Sequence, residues 1–180
     1  MVNAKQVLDV QVSKGITTAQ SNEHQRRRSE QAEKYAMSKG NYDPTRKGLN
    51  FEIAPGRKVR PIDTSRSIPQ RMADILNRRG IKDPNEGLAE PKYRTVVNII
   101  FGGSRQRMHE LAFGKQPVDF EKGADNSRIV RKPEIEDWAK DVYSFVCGKY
   151  GEQNIAAFIV HLDELNPHAV SYTHLRAHET

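Results

Sequence analysis

Ile155-Ala156-Ala157-Phe158-Ile159-Val160-His161-Leu162-Asp163-Glu164-Leu165-Asn166-Pro167-His168 is the stretch whose reading decides the fold. Its apolar start has the pattern of a buried strand. Side chains alternate along a strand, so His161 and Asp163 can share one face while Val160 and Leu162 point to the other. Pro167 imposes an extended or turn-like backbone just before His168 and can bring that ring back toward His161. Two imidazoles and two carboxylates in so short a span are the usual makings of a divalent-metal site. The plain alternative is a polar strand end at the surface.

Upstream of this stretch, Leu8, Val10 and Val12 alternate with polar residues and predict a strand with one buried face. Thr17 or Thr18 can cap a helix running to about Ser38, with Gly40 as its stop. That segment, Gln20 to Gln31, is almost wholly polar, the mark of a solvated helix or one lying against a charged partner. Leu49 to Ile53 predicts a second strand, closed by Pro55-Gly56. Ile68, Met72, Ile75 and Leu76 share one face of a helix from Ser65 to Arg79, with Gly80 past its end. Tyr93 to Phe101 is nearly continuous in apolar residues and predicts a central strand. Gly102-Gly103-Ser104 then opens a short helix through Met108 and Leu111, either as an ordinary turn and cap or as a phosphate cradle. Residues 114–131 form a long charged loop. Pro133 starts a helix to about Lys149, whose broad apolar stripe (Ile135, Trp138, Ala139, Val142, Phe145, Val146) fits it to cover one face of a sheet. The element pattern is α+β: one sheet covered by helices on one side, the other side open to a ligand.

The chain has 180 residues, enough for one domain with a sizeable core. Lys and Arg exceed Asp and Glu by 29 to 23, a formal charge of +6 that suits a polyanionic partner without specifying one. The single cysteine, Cys147, excludes an internal disulfide and a Cys-rich zinc site, and sits in an apolar helix pattern. No apolar run has the length of a membrane span and no signal peptide is evident, so a cytoplasmic location is expected.

The sequence His161-Leu162-Asp163-Glu164-x-x-Pro167-His168 resembles the third motif of the Mob/Pre plasmid mobilisation relaxases of the MobV type, whose fold belongs to the HUH endonucleases. The resemblance covers residues 1–168 and implies a relaxase (nuclease and strand-transfer) domain with an antiparallel sheet. His161 and His168 would then hold a divalent metal, with Mn favoured and Mg as second candidate. Glu164 would orient a ligand or move a proton. The family's first motif, His-x-x-Arg, is matched by His24-Gln25-Arg26-Arg27. On that match His24 attacks DNA to form a phosphoramidate, and Arg27 grips the phosphate. Tyr42 is the competing nucleophile. Asn41-Tyr42-Asp43 resembles the second motif, with Pro44 where the family has Leu. Arg26, Arg28, Asn41, Tyr42, Asp43, Arg46 and Asn50 are the expected DNA contacts. The implied activity is site- and strand-specific nicking and joining at a plasmid origin of transfer, with plasmid DNA as partner and a homodimer through a further C-terminal region. A non-catalytic plasmid DNA-binding protein or replication initiator of the same fold is the alternative. A metal-dependent hydrolase of small phosphates is a third reading. His109 is expected at the surface.

The family motif continues as His-x-His, whereas this chain reads His168-Ala169-Val170. From Val170 to Thr180 the sequence resembles the translation of a sequencing-library adaptor, so 169–180 is expected to be a scar with Ala169 at the junction. On that expectation His174 and His178 are decoys, position 170 is histidine in the intact gene, and the sheet is incomplete for want of the last strand. The chain as it stands would be inactive or weak.

Overall fold

The computed structural model describes residues 6–175. Among them, six strands and five α-helices follow in the order β1 (Val7–Ser13), α1 (Thr18–His24), α2 (Glu30–Ser38), β2 (Phe51–Ala54), β3 (Lys58–Arg60), α3 (Ile68–Arg79), β4 (Val96–Gly102), α4 (Arg105–Phe113), α5 (Pro133–Tyr150), β5 (Ile155–His161) and β6 (His168–His174). A 3-10 turn over Pro44–Leu49 precedes β2. The strands form one sheet in the order β1-β4-β6-β5-β2-β3, with antiparallel neighbours throughout. This is the α+β antiparallel architecture expected.

Alternation along the strands sorts the core into two layers. Val97, Ile99, Phe101, Phe158, Val160, Leu162 and Ala169 face α4 and α5, packing with Met108, Phe113, Ile135, Ala139 and Tyr143. Ala157, Ile159, Val170, Tyr172 and Val96 face the other way, against Ile68, Met72 and Ile75 of α3. Helices therefore lie on both faces, not one. α3 covers the middle of the second face, and α1 is tied beside it where the Ile68 amide donates to Ser21 Oγ at 2.9 Å.

Three other expectations are corrected. The last strand is present: β6 pairs with β4 from Val96↔His174 to Phe101↔Ala169 and with β5 on its other edge, placing it at the centre of the sheet. The single helix expected from Thr18 to Ser38 is two. Arg26 takes a left-handed backbone, φ 56°, which no α-helix tolerates, and Ser29 caps a fresh start at Ala32 N. Ser104 acts as an ordinary cap, accepting from Arg107 N at 3.2 Å, which fits the turn reading of Gly102-Gly103-Ser104. β1 is an edge strand whose Leu8, Val10 and Val12 are exposed, so its predicted buried face is not covered.

Candidate metal and nucleophile site

β5 ends at His161 and β6 begins at His168, and the two residues pair directly across the strands. The turn between them brings the rings together, as Pro167 implied. His161 Nδ1 and His168 Nε2 are 3.4 Å apart. The opposite nitrogen of each ring meets a backbone carbonyl: His161 Nε2 is 2.8 Å from His24 O, and His168 Nδ1 is 2.8 Å from Asn166 O. A carbonyl can only accept, so a ring in its neutral form carries its proton on that outer nitrogen. Two bare lone pairs then face each other. That arrangement is repulsive by itself and is relieved by a cation between them. Two nitrogens about 2.1 Å from a shared ion at the tetrahedral angle lie roughly 3.4 Å apart. Donor atoms of Glu164 complete a group with the two rings, all within 4.8 Å of one another. Two imidazoles and a carboxylate suit Mn, Fe or Zn among divalent ions, so the residues present fit such a group. Burial, then Arg26 and His168, drives the His161 pKa well below the ordinary value, which keeps the ring neutral and able to bind metal.

His24 closes the site from α1. Its ring lies nearly parallel to that of His161, with centroids 5.6 Å apart. Its Nε2 shares a hydrogen bond with the Tyr172 hydroxyl at 2.9 Å, and Nδ1 is buried with no hydrogen-bond partner. Burial, then Arg26 and His168, lowers its pKa to about 4, so the imidazole is neutral near pH 7 and keeps a lone pair. Tyr42 is built otherwise. Its hydroxyl donates to Glu33 Oε1 at 2.5 Å, and burial and Glu33 push its pKa up, which disfavours the phenolate.

The residues expected to touch DNA divide into two groups. Arg26 is 6% exposed and donates Nε and Nη2 to the two oxygens of Asp163 at 2.9 and 2.8 Å, and Nη2 again to Glu164 Oε1 at 2.7 Å. Arg46 is 2% exposed and holds Asp43 and the carbonyls of Leu162 and Glu164. Asn50 donates to Asp163 Oδ2 at 2.7 Å and accepts from Leu162 N at 2.6 Å. Asp43 caps the 3-10 turn and accepts from Asn126. Arg26, Arg46 and Asn50 are buried and Asp43 is half-buried, and through these bonds all four brace the 162–165 corner. Tyr42 joins them through a backbone bridge to Glu164. Asn41 stays exposed, with Nδ2 3.5 Å from Glu164 Oε2. Arg28 spans Glu23 and Glu33 and lies over the Tyr42 ring. Arg27 is exposed and makes no side-chain hydrogen bond or ion pair among the described residues.

Sequence reasoning missed two neighbours. Tyr172 reaches His24 because it sits four residues beyond His168 on the same face of β6, a relation visible only once that strand is recognised. His109 is half-buried rather than a surface residue. Its Nε2 meets Leu165 O at 2.7 Å and its ring stacks on Phe120, propping the motif loop from α4. His174 lies at the far end of β6, about 20 Å of strand from His168. His178 falls outside the described residues.

Fold and site together define an antiparallel α+β domain with a histidine–carboxylate cluster at one end of its two central strands. No protein-family profile and no curated protein matches the sequence. Solved structures do match: the MobM relaxase domain (MOBV; Mob_Pre) bound to plasmid oriT DNA, Mn-bound, has a TM-score of 0.58 at 20% identity over 93% of this chain and 69% of that one. A second Mn-bound complex, with a 3′-thiophosphate oligonucleotide, gives a TM-score of 0.57 at 19% identity, again over 93% of this chain and 69% of that one. A third, on a 26-nucleotide oriT DNA, gives 0.50 at 15% identity over 93% and 67%. The chain therefore has the fold of the MobM relaxase domain, the fold that its motifs resemble. Among the described residues no helix is long and apolar enough to cross a membrane.

Proposed function

We propose that this chain is the nuclease portion of a plasmid mobilisation relaxase, a cytoplasmic enzyme that nicks and rejoins one DNA strand at an origin of transfer. The observation that carries the reading is the pair of ring nitrogens of His161 and His168 facing each other at 3.4 Å, set beside His24, in a fold whose solved neighbours hold Mn and oriT DNA. A divalent ion, Mn favoured, held by His161, His168 and Glu164 would neutralise charge on the scissile phosphate. The chain's own residues do the rest. A His24 nitrogen attacks phosphorus, a P–N bond forms and the P–O3′ bond breaks. The imidazole loses its proton, and the 3′ oxygen leaves as a hydroxyl after gaining one. Burial keeps the nitrogen unprotonated beforehand, and stacking on His161 limits the ring's freedom. Arg27, exposed on the same turn, would grip the phosphate. The phosphoramidate conserves the energy of the cut bond, so the strand can be rejoined, whereas hydrolysis would lose it. Plasmid DNA is the partner in this reading.

The reading includes the end of the chain. Residues 1–168 are the relaxase domain, and 169–180 are a scar that replaces a histidine with Val170. That the segment forms β6 is compatible with this origin: strand pairing is a backbone property, and Val170, Tyr172 and Thr173 have high strand propensity. Val170 is buried against Ile159 where the third ligand of the family pattern would stand. This favours a second reading for the chain as it is, a DNA-binding protein of the same fold with little cleavage.

The test is incubation with Mn and a single-stranded oligonucleotide spanning the candidate origin, followed by a denaturing gel and peptide mapping. A covalent adduct on His24, lost in His24→Ala with DNA affinity retained, supports the enzyme. DNA binding with no adduct, even after Val170→His, moves the binding protein ahead.

A further inference from the structure

The turn that follows α1 touches the motif corner at two points. The His24 carbonyl accepts from His161 Nε2 at 2.8 Å. Two residues on, the Arg26 guanidinium forks onto both oxygens of Asp163 and reaches Glu164 Oε1. Its remaining nitrogen, Nη1, donates back to Glu23 O at 2.7 Å, inside the last turn of α1. One side chain thus ties the helix that carries His24 to the strand end that carries His161 and Glu164.

Arg26 also occupies a backbone conformation that an L-residue rarely adopts, φ 56°. Asparagine or glycine would hold it at less strain, so the position is arginine for the sake of its side chain. Gln25 fixes the same turn from behind, donating to Asp63 O and Arg66 O at 3.1 and 2.8 Å. Asp163 is wholly buried and takes a further hydrogen bond from Asn50, so the clamp's acceptor cannot move away.

We propose that Arg26 is the positioning residue for His24: by locking the α1 turn to Asp163 and Glu164 it sets the distance between the nucleophilic ring and the metal ligands, while Arg27 faces the DNA. The proposal rests on the relaxase reading for its consequence, but its geometry stands without it.

The test compares Arg26→Met, Arg26→Lys and Arg27→Ala in the full chain and in Val170→His. Three quantities are measured: the affinity and salt dependence of single-stranded DNA binding, the rate at which diethylpyrocarbonate modifies His24 (followed by peptide mapping), and adduct yield with Mn. In Arg26→Met, DNA affinity and salt slope stay within twofold of wild type, His24 modification rises several-fold, and adduct formation falls about 100-fold, the usual cost of a misplaced reacting group. Arg26→Lys gives an intermediate value because it keeps charge but not the fork. Added methylguanidinium restores part of the Arg26→Met loss, which a general loss of folding would not allow. Arg27→Ala instead weakens DNA binding and reduces the salt slope by about 1. The proposal is overturned if Arg26→Met flattens the salt slope as Arg27→Ala does, or if it leaves His24 modification unchanged. Absence of DNA binding and adduct in every chain defeats the relaxase reading instead, and the modification rate still decides the clamp.

Discussion

His161 Nδ1 and His168 Nε2 face each other at 3.4 Å while a backbone carbonyl holds the proton-bearing side of each ring. Lone pairs arranged in this way ask for a cation, and the consequence is measurable. Mn at 100 times its dissociation constant should stabilise the fold by about 2.7 kcal/mol, read as a rise in Tm. His161→Ala and His168→Ala should abolish the rise. A chelator should remove it from the parent chain. A Tm indifferent to Mn, Zn and Co alike would sink the metal site.

Acid should destabilise the protein through the same rings. His24 and His161 have folded pKa values below the ordinary histidine value of about 6.5, His24 at about 4. Between those limits the unfolded chain binds more protons than the folded one, so stability rises with pH across that window. It is fully present above about pH 6.5 and is lost as pH falls toward 4. His24→Gln, which cannot titrate, should flatten part of that slope in calorimetric scans from pH 7 to pH 4.5. An unchanged slope would mean that His24 is solvated.

The corner beneath the site should be costly to damage. Asp163 is fully buried and accepts from Arg26 and Asn50. Asp163→Ala leaves the Arg26 charge buried without its main partner, a loss of roughly 3–5 kcal/mol. Leu162→Ala, on the opposite face of the same strand end, should cost about 2–5 kcal/mol through the cavity it leaves. Urea denaturation decides both. Values under 1 kcal/mol would show that the corner is loosely packed.

Most strands and helices were legible because their signals are local. Apolar alternation fixes β2, a continuous apolar run fixes β5, Pro133 marks the start of α5, and the Ile68–Leu76 stripe faces the sheet. The approach of His168 to His161 was legible for the same reason, since pairing across a short turn follows from the strand and the proline. What escaped depends on distant partners. Nothing near Arg26 announces that it bonds to Asp163, 137 residues away, rather than to a phosphate. The same holds for Arg46 and the Leu162 carbonyl. A run of three arginines reads as one basic patch, yet a single left-handed residue buries the first and exposes the second. β6 escaped because its sequence was set aside as foreign, although its alternation of apolar and hydroxyl side chains suits a central strand.

Val170 is the position where these lines meet. It follows His168 by two residues, shares its face of β6, and is buried beside Ile159. A histidine there extends the ligand set from two imidazoles and a carboxylate to three imidazoles, and a third nitrogen suits Mn, Zn or Co better than a carboxylate already shared with Arg26. Val170→His should therefore tighten Mn binding by about tenfold or more, equivalent to at least roughly 1.4 kcal/mol. It should also raise adduct yield without changing DNA affinity. The cost is an imidazole in an apolar layer, so the metal-free variant should melt below the parent chain and recover on adding Mn. Sequencing the source DNA through codon 170 in a single long read gives the independent check. A histidine codon followed by unrelated sequence makes Val170–Thr180 a scar and the variant a restoration. If Val170 is encoded and the variant gains neither metal affinity nor adduct, the non-catalytic DNA-binding reading takes precedence.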